Sequence, residues 1–259
     1  MKVYAFVPAR SGSKGLPNKN ILLIDGHPLL AYAVRFGLSL GVDRVILSTD
    51  SEEYADIGRK YGAEVPMLRS AAASSDTAME EDILADFAER LPSAGIPLPD
   101  IWIRLKPTNP FRTVESVQRG LDVLKADPGI DSVRIVSPAD PRLAVQNSSG
   151  FLEPLLADWD PARSIVRRTE MVSAYSPFNL DILRHRVWEE LGSQFMGSRI
   201  FPIVEHSITG LDVNELDDFE IIRAIIESRP RPTVVKRYLP DNMDLAAPAG
   251  GTTSDPRHA

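Results

Sequence analysis

The chain lacks cysteine altogether, and this absence removes several classes of chemistry. Disulfides, thiolate metal sites and cysteine nucleophiles are all excluded. Histidine is scarce as well, and its spacing shows none of the patterns that hold zinc, so we expect no zinc site. The four histidines are His27, His185, His206 and His258.

Long apolar runs are also missing from the sequence. No stretch approaches the roughly 20 apolar residues that a helix needs to cross a bilayer. The first residues lead directly into a strand pattern and show no signal-peptide architecture. We therefore expect a soluble cytoplasmic protein that has no membrane partner.

Positive charge is in deficit, since the 259 residues carry a formal net charge of −7. The field of the whole molecule would repel a nucleic acid, so we expect no nucleic-acid partner. Residues 10–20, which we call the cationic loop, are different: they hold three cations and two glycines. A local excess of cations on an acidic chain suits a small polyanion better than a polymer.

The cationic loop follows an apolar run, residues 3–9, that predicts a first β-strand. Such a loop can be an ordinary basic surface turn, or it can surround phosphate oxygens with backbone N–H groups and cationic side chains. The loop matches neither the Walker A spacing nor Gly-x-Gly-x-x-Gly. Its place at the carboxyl end of a strand, where open α/β sheets bind ligands, favours phosphate.

Strand and helix patterns alternate along the first half of the chain, which predicts a Rossmann-like α/β fold with a mostly parallel sheet and helices on both faces. The alternation fails over residues 138–176, where we predict a lobe, a lid or a dimerisation arm, followed by a helix over residues 180–191. The main domain is predicted to span residues 1–228. Residues 229–259 are rich in Pro, Gly, Asp and Ser and are predicted to be a disordered tail.

Residues 7–20, Val-Pro-Ala-Arg-Ser-Gly-Ser-Lys-Gly-Leu-Pro-Asn-Lys-Asn, resemble the signature of the CMP-sialic acid synthetase (acylneuraminate cytidylyltransferase) family. Shorter matches follow in the family's order at residues 48–51, at Arg69 with residues 75–77, and at residues 105–112 and 211–214. The resemblance runs from residue 1 to about residue 228. It implies the nucleotide-diphospho-sugar transferase type of fold and a homodimer formed through an irregular dimerisation arm.

In that family the anomeric hydroxyl of an acidic sugar attacks the α-phosphate of CTP and expels pyrophosphate with the help of Mg²⁺. The resemblance therefore implies a Mg²⁺-dependent cytidylyltransferase acting on CTP and a nonulosonic or other 3-deoxy-2-keto sugar acid. Such a transfer depends mostly on positioning and on electrostatic stabilisation. The nucleotide-binding residues that the resemblance implies are Arg10, Ser11, Ser13, Lys14, Lys19, Asn20, Arg69 and Asp76.

The catalytic candidates are Arg10, Lys19 and Asp212, and the metal candidates are Asp212 and Asn214. A carboxylate such as Asp212 is what a hard divalent cation needs when phosphates supply its other ligands. The family usually carries a second aspartate two residues later, where this chain has Asn214. An amide oxygen can still coordinate Mg²⁺, but it removes one negative charge and should weaken metal binding.

The residues that would bind the acceptor depart most from the motifs of the family. Lys106 stands where the family has a glutamine near the sugar, Asn109 replaces a serine of the same motif, and Glu80 stands where a serine is frequent. A cation at position 106 can pair with an acid group on the acceptor. The arm also carries arginines. They can contribute to the sugar site, or they can simply lie on a solvated surface of the arm. The substrate-binding candidates are Lys106, Thr108, Asn109, Arg163 and Arg168.

Three alternatives stay open at this point. The same fold can use GTP or a non-sugar acid acceptor. A catalytically weakened nucleotide-binding regulator is compatible with Asn214 and the altered sugar motifs. A glycosyltransferase that uses a nucleotide sugar usually carries an Asp-x-Asp motif, and the nearest match here, ending at Asp181, has Asn179 in the first place.

Overall fold

The computed structural model of the chain describes residues 1–13, 15–156, 160, 167, 171–191, 196–232, 238 and 239. The described strands are β1 (Val3–Pro8), β2 (Leu23–Ile24), β3 (His27–Pro28), β4 (Arg44–Ser48), β5 (Ile101–Arg104), β6 (Ser132–Ala139), β7 (Ala144–Gln146), β8 (Leu152–Pro154), β9 (Ala174–Arg184) and β10 (Ile200–Val204). The described α-helices are α1 (Leu29–Ser39), α2 (Glu52–Lys60), α3 (Glu80–Arg90), α4 (Val114–Ala126), α5 (His185–Leu191) and α6 (Leu216–Glu227). None of these helices is long and apolar enough to cross a membrane.

Six strands form the central sheet in the order β10-β6-β9-β5-β1-β4. Strand β1 pairs in parallel with β4 and β5, and β10 pairs in parallel with β6. Strand β9 lies antiparallel between β5 and β6. The predicted Rossmann-like fold with a mostly parallel sheet is thereby confirmed, and β9 is its antiparallel exception.

Both faces of the sheet are covered, as the alternation of side chains along β1 illustrates. Val3, Ala5 and Val7 belong to a buried cluster that includes apolar residues of α1 and α4. Tyr4 and Phe6 point to the opposite face and belong to a second cluster with residues of α3. Helices therefore pack on the two faces of the sheet, as the alternating pattern predicts.

The predicted helix over residues 180–191 is wrong in its first part, because residues 174–184 form β9 and helix α5 begins at His185. Leu180 and Ile182 belong to the first buried cluster, whereas Leu183 belongs to the second cluster on the other face of the sheet. This alternation has the period of a strand and not that of a helix. Pairing with two neighbouring strands fixes the segment in the extended state.

The predicted arm contains a small antiparallel hairpin, β7–β8, in its described part. Residues 157–159, 161–166 and 168–170 of the arm lie outside the described residues. The role of the arm in dimerisation stays a prediction. Part of the predicted tail packs on the domain: Leu239 is buried in the first cluster, and Tyr238 stacks edge-on against Phe36. The packed unit therefore extends beyond residue 228, while residues 240–259 lie outside the described part.

Candidate nucleotide-binding site

The cationic loop leaves the carboxyl end of β1 and is closed by polar contacts at both ends. The Asn20 side-chain amide donates to the carbonyl oxygen of Arg10 at 3.0 Å. The backbone N–H and the hydroxyl of Ser11 donate to the two carboxylate oxygens of Asp50 at 2.7 and 3.1 Å. Asp50 follows β4, so these contacts bind the loop to the neighbouring parallel strand and fix its shape.

Two contacts bring the cationic loop against the segment that carries the metal candidates, and a third ties that segment to the loop after β5. The Lys19 ammonium donates to the carbonyl oxygen of Val213 at 2.8 Å. The backbone N–H of Val213 donates to the carbonyl oxygen of Thr108 at 2.9 Å. A Cβ atom added at Gly15 would lie 2.9 Å from the backbone oxygen of Asn214, so glycine is needed for this close approach.

These loops surround a cavity of about 530 Å³ at the carboxyl ends of β1 and β5. It collects side chains from distant parts of the chain, and most of the site residues predicted from the sequence line it. Those predicted residues are Arg10, Ser13, Lys19, Asn20, Arg69, Asp76, Lys106, Thr108, Asp212 and Asn214. The cavity therefore joins the predicted phosphate-binding, acceptor-binding and metal-binding groups.

Five of the predicted site residues are not placed in the cavity. Lys14, Arg163 and Arg168 lie outside the described residues. Ser11 is absent from the cavity lining, because both of its donors are used by Asp50. Asn109 is buried and is absent from the cavity lining.

Asn109 and Arg112 hold the loop after β5 from behind. The Asn109 amide donates to the carbonyl oxygens of Thr209 and Leu211 at 2.7 and 3.0 Å. The buried guanidinium of Arg112 donates to the carbonyl oxygen of Lys106, and burial lowers the pKa of Arg112 to about 9. These contacts of Asn109 position the loop. They differ from the contact with the acceptor that the sequence predicts for this residue.

The cavity concentrates positive charge in a partly dehydrated space. Burial lowers the pKa of Lys19, an effect that Asp212 and Asp218 oppose and that Lys106 and Arg10 reinforce. Burial also lowers the pKa of Lys106, and nearby Arg104 lowers it further. A bound polyanion would oppose these shifts, because it stabilises the charged forms of both lysines.

Arg69 and Arg10 both line the phosphate side of the cavity. The Arg69 guanidinium donates to the hydroxyl of Ser48 at 2.6 Å and to its carbonyl oxygen at 3.0 Å. Burial lowers the pKa of Arg69 to about 10. Arg10 donates to the Asp76 carboxylate at 3.0 Å, so this aspartate pairs with the cation that would meet a phosphate.

The metal candidates fit a divalent cation that shares its ligands with phosphate. The Oδ1 atom of Asp212 is buried and has no hydrogen-bond partner among the residues that the structure describes. The Asn214 amide donates from Nδ2 to the Asp212 carbonyl oxygen at 3.4 Å, so its oxygen is the atom that a cation would meet. No group of three or more His, Cys, Asp or Glu that could hold a metal ion occurs in the described ranges. Phosphate oxygens would have to complete the coordination.

A group of five charged side chains forms or supports the other wall of the cavity, and we call it the charged cluster. Its members are Glu80, Arg104, Lys106, Arg134 and Asp181. Asp181 is fully buried on β9, contacts Arg104 of β5, and accepts from Arg134 of β6 at 2.6 Å. Glu80 contacts Arg104, and its Oε1 lies 3.2 Å from the Lys106 nitrogen.

The sequence motifs predict no site role for Arg104, Arg134 or Asp181. A signal exists, because each of these charges interrupts an apolar strand. The register places Arg104 and Arg134 opposite Asp181 on its two neighbouring strands. Burial raises the pKa of Asp181, but the two guanidinium groups outweigh this effect and hold its pKa below the usual value.

The floor of the cavity is apolar. It is formed by side chains from the second buried cluster, namely Phe6, Ile83, Leu84, Trp102 and Leu183. A cationic side, a charged cluster and an apolar floor suit a ligand that combines phosphates with an organic acid. The fold and this cavity together define an α/β protein of the nucleotidyltransferase class.

Comparison with known proteins identifies the family. The cytidylyltransferase family model matches residues 4–165, so the chain belongs to the cytidylyltransferase family. The resemblance to CMP-sialic acid synthetases predicted from the sequence is confirmed by this match and by the relatives below.

Two relatives illustrate the range of the family. The chain is 35% identical over 126 residues to the CMP-N,N'-diacetyllegionaminic acid synthase of Legionella pneumophila, covering 48% of this chain and 54% of the relative. It is 26% identical over 239 residues to the N-acylneuraminate cytidylyltransferase of Escherichia coli, covering 90% of this chain and 54% of the relative. The chain thus spans about half the length of these curated relatives.

Solved structures agree on the fold. A CMP:2-keto-3-deoxy-manno-octonic acid synthetase complexed with CTP superposes with a TM-score of 0.63 at 20% identity, covering 87% of this chain and 98% of the other. The 4-diphosphocytidyl-2C-methyl-D-erythritol synthase of Anaerococcus prevotii gives a TM-score of 0.61 at 13% identity, covering 88% and 99%. At these identities the likeness concerns the fold alone.

Proposed function

We propose that the chain transfers CMP from CTP to the anomeric hydroxyl of an acidic sugar, a nonulosonic or other 3-deoxy-2-keto acid, and releases pyrophosphate. One observation carries the proposal: the Lys19 ammonium, bonded to Val213, brings the cationic loop beside Asp212 in one cavity. The relatives support the proposal, since they are a CMP-N,N'-diacetyllegionaminic acid synthase, an N-acylneuraminate cytidylyltransferase and, in Campylobacter jejuni, a pseudaminic acid cytidylyltransferase. A cytoplasmic location stays a prediction from the sequence.

In the proposed reaction the acceptor oxygen forms a bond to the α-phosphorus, the bond from that phosphorus to the β-phosphate bridging oxygen breaks, and the hydroxyl proton is released to water. Arg10, Lys19 and Arg69 bind the triphosphate and balance the charge that develops on the leaving pyrophosphate. Lys106 pairs with the acid group of the acceptor and orients its hydroxyl.

We propose Mg²⁺ as the cofactor, with Asp212 and Asn214 as its protein ligands. When bound, the ion would neutralise phosphate charge and polarise the reacting phosphoryl group. Asp212 supplies the carboxylate oxygen that has no hydrogen-bond partner among the described residues. Asn214 contributes a neutral oxygen, which makes the site weaker than one with two carboxylates.

The test is a screen of the four nucleoside triphosphates against several acids, read by pyrophosphate release. The acceptors are N-acetylneuraminic, N,N'-diacetyllegionaminic, pseudaminic and 2-keto-3-deoxy-manno-octonic acids, with pyruvate as a non-sugar control. We expect release with CTP and at least one sugar acid. Release with GTP in place of CTP, or with pyruvate as the one productive acceptor, would favour GTP or a non-sugar acid as the substrate. CTP binding without pyrophosphate release for any acceptor would favour a nucleotide-binding regulator.

The variant Asn214→Asp should lower the Mg²⁺ concentration that gives half-maximal activity by roughly tenfold, because it restores a second carboxylate to the site. Pyrophosphate release measured over a Mg²⁺ series checks this result. Asp217→Asn is the matched control, since Asp217 is exposed in the first turn of α6 and does not line the cavity. An unchanged Mg²⁺ requirement in Asn214→Asp would remove position 214 from the metal site.

We also propose that the chain forms a homodimer through the predicted arm. The β7–β8 hairpin and its flanks expose several large apolar side chains, as an interaction surface does. They are Leu143, Val145, Phe151, Leu152 and Leu155.

Phe151→Asp should weaken the dimer at least tenfold, because it places a charge on the most exposed apolar side chain of the hairpin, 73% exposed. Sedimentation velocity over a concentration series measures the change. Ile221→Asp is the control, since Ile221 is an exposed apolar residue on α6, away from the arm. A wild-type chain that stays monomeric throughout the series would rule out the dimer.

A further inference from the structure

The charged cluster combines three cations with two carboxylates at one wall of the cavity. Asp181 is already shared by two guanidinium groups, since it contacts Arg104 and accepts from Arg134 at 2.6 Å. The second carboxylate, Glu80, comes from the first residue of α3 and reaches across to Arg104 and Lys106. Glu80 is therefore the carboxylate that determines how much positive charge the cluster presents to a ligand.

The positive charge of the cavity extends from the phosphate side into the charged cluster. The charges of Arg10 and Lys106 both act on Lys19, and Lys106 in turn is affected by Arg104. A phosphate group would be attracted along this whole series of cations. Glu80 lines the cavity in direct contact with Lys106 and Arg104, whereas the lining carboxylate of Asp212 acts on Lys106 from the metal side.

We propose that Glu80 is a specificity-determining residue that limits the acceptor half of the cavity to a ligand with a single negative charge and keeps phosphate and pyrophosphate out of it. The inference rests on the proposed function, because it concerns the acceptor side of that reaction. A lone carboxylate on the acceptor still pairs with Lys106. A second anionic group, or a phosphate dianion, meets the Glu80 carboxylate and is repelled.

The same geometry defines the chemistry of the acceptor. Glu80 accepts hydrogen bonds and donates none when ionised, so hydroxyl or amide N–H groups of the acceptor suit it. Among the floor residues, Ile83 is partly exposed and suits an acyl or methyl substituent beside it. An acceptor with one carboxylate and with hydrogen-bond donors at its other end would meet these demands.

The test is calorimetric titration of inorganic phosphate into the CTP-loaded protein without an acceptor, so that the phosphate side is already filled. Wild type should bind phosphate weakly, and Glu80→Gln should bind it at least tenfold more tightly. Glu81→Gln is the matched control, since Glu81 also lies in the first turn of α3 but does not line the cavity, and it should match wild type within twofold. The gain should disappear in Glu80→Gln/Lys106→Gln.

Two outcomes would overturn the inference: phosphate affinity in Glu80→Gln that equals wild type, or a gain that survives the loss of Lys106. Glu80→Asp keeps the charge and should bind phosphate within threefold of wild type, which separates charge from a disturbed helix start. The start of α3 has its own support, because Asp82 accepts from the Met79 N–H at 2.7 Å.

CTP loading is measured first and reports on the proposed function by itself. If CTP does not bind, the proposed function fails, and phosphate titration of the unloaded protein still compares Glu80→Gln with Glu81→Gln. A tenfold difference between these two variants supports the role of Glu80 in either case, and equal affinities contradict it.

Discussion

Replacing Lys19 by alanine should lower the rate of pyrophosphate release by roughly two to three orders of magnitude. The variant removes a partly buried cation from the cavity that would hold the triphosphate. It also removes the 2.8 Å bond to the Val213 carbonyl oxygen, which ties the cationic loop to the segment with Asp212. Steady-state pyrophosphate release, with circular dichroism as the check on folding, measures the effect.

Lys60→Ala is the control for this variant, because Lys60 is an exposed lysine at the end of α2, and its activity should stay within about twofold of wild type. Lys19→Arg keeps the charge but changes its geometry, so it should recover part of the loss. Full activity in Lys19→Ala would contradict the proposed site, whatever the acceptor.

The pH dependence of activity is a second measurement that tests the role of Lys19. Burial lowers the pKa of Lys19 from the usual 10.5, although Asp212 and Asp218 partly oppose the shift. The charged form is the one that binds phosphate, so it is present below this pKa and activity falls as the pH rises through it. Lys19→Arg should move this alkaline decline to higher pH, because arginine stays charged.

The parts of the site that could be predicted from the sequence are those built from local segments. The cationic loop directly follows β1, and its glycines permit two local requirements: a positive φ of 67° at Gly12 and the close approach at Gly15. Asp212 and Asn214 likewise lie within one short segment. A motif that contains both the residues and their backbone geometry is sufficient to predict such a site.

The charged cluster could not be predicted in the same way, because it depends on the register of distant strands. Arg104 and Asp181 are 77 residues apart and meet because β9 is inserted antiparallel beside β5. Residues 180–184, at the end of that strand, were predicted to be helical, which would have placed Asp181 elsewhere. Ser11 and Asn109 show the converse. They belong to motifs whose neighbouring residues line the cavity, but their own side chains bond to the protein itself.

Replacing Asp181 by alanine should lower the free energy of unfolding by about 3–5 kcal/mol. The carboxylate is fully buried and is shared by Arg104 and Arg134, so its loss leaves two guanidinium groups in the sheet without the anion between them. Breaking a buried ion pair by removing one partner is costly because the remaining charge stays desolvated. Urea unfolding followed by circular dichroism measures the change as a lower midpoint.

The matched control for Asp181 is an aspartate whose ion pair is exposed to solvent. Asp56 on α2 pairs with Arg59 at 2.8 Å, and its side chain is 75% exposed. Asp56→Ala should change the free energy of unfolding by no more than about 1 kcal/mol, because solvent and salt screen such a pair. A loss in Asp181→Ala as small as that in Asp56→Ala would mean that the two arginines find other partners. The cluster would then contribute little to the stability of the sheet, and its charges would be retained for the ligand.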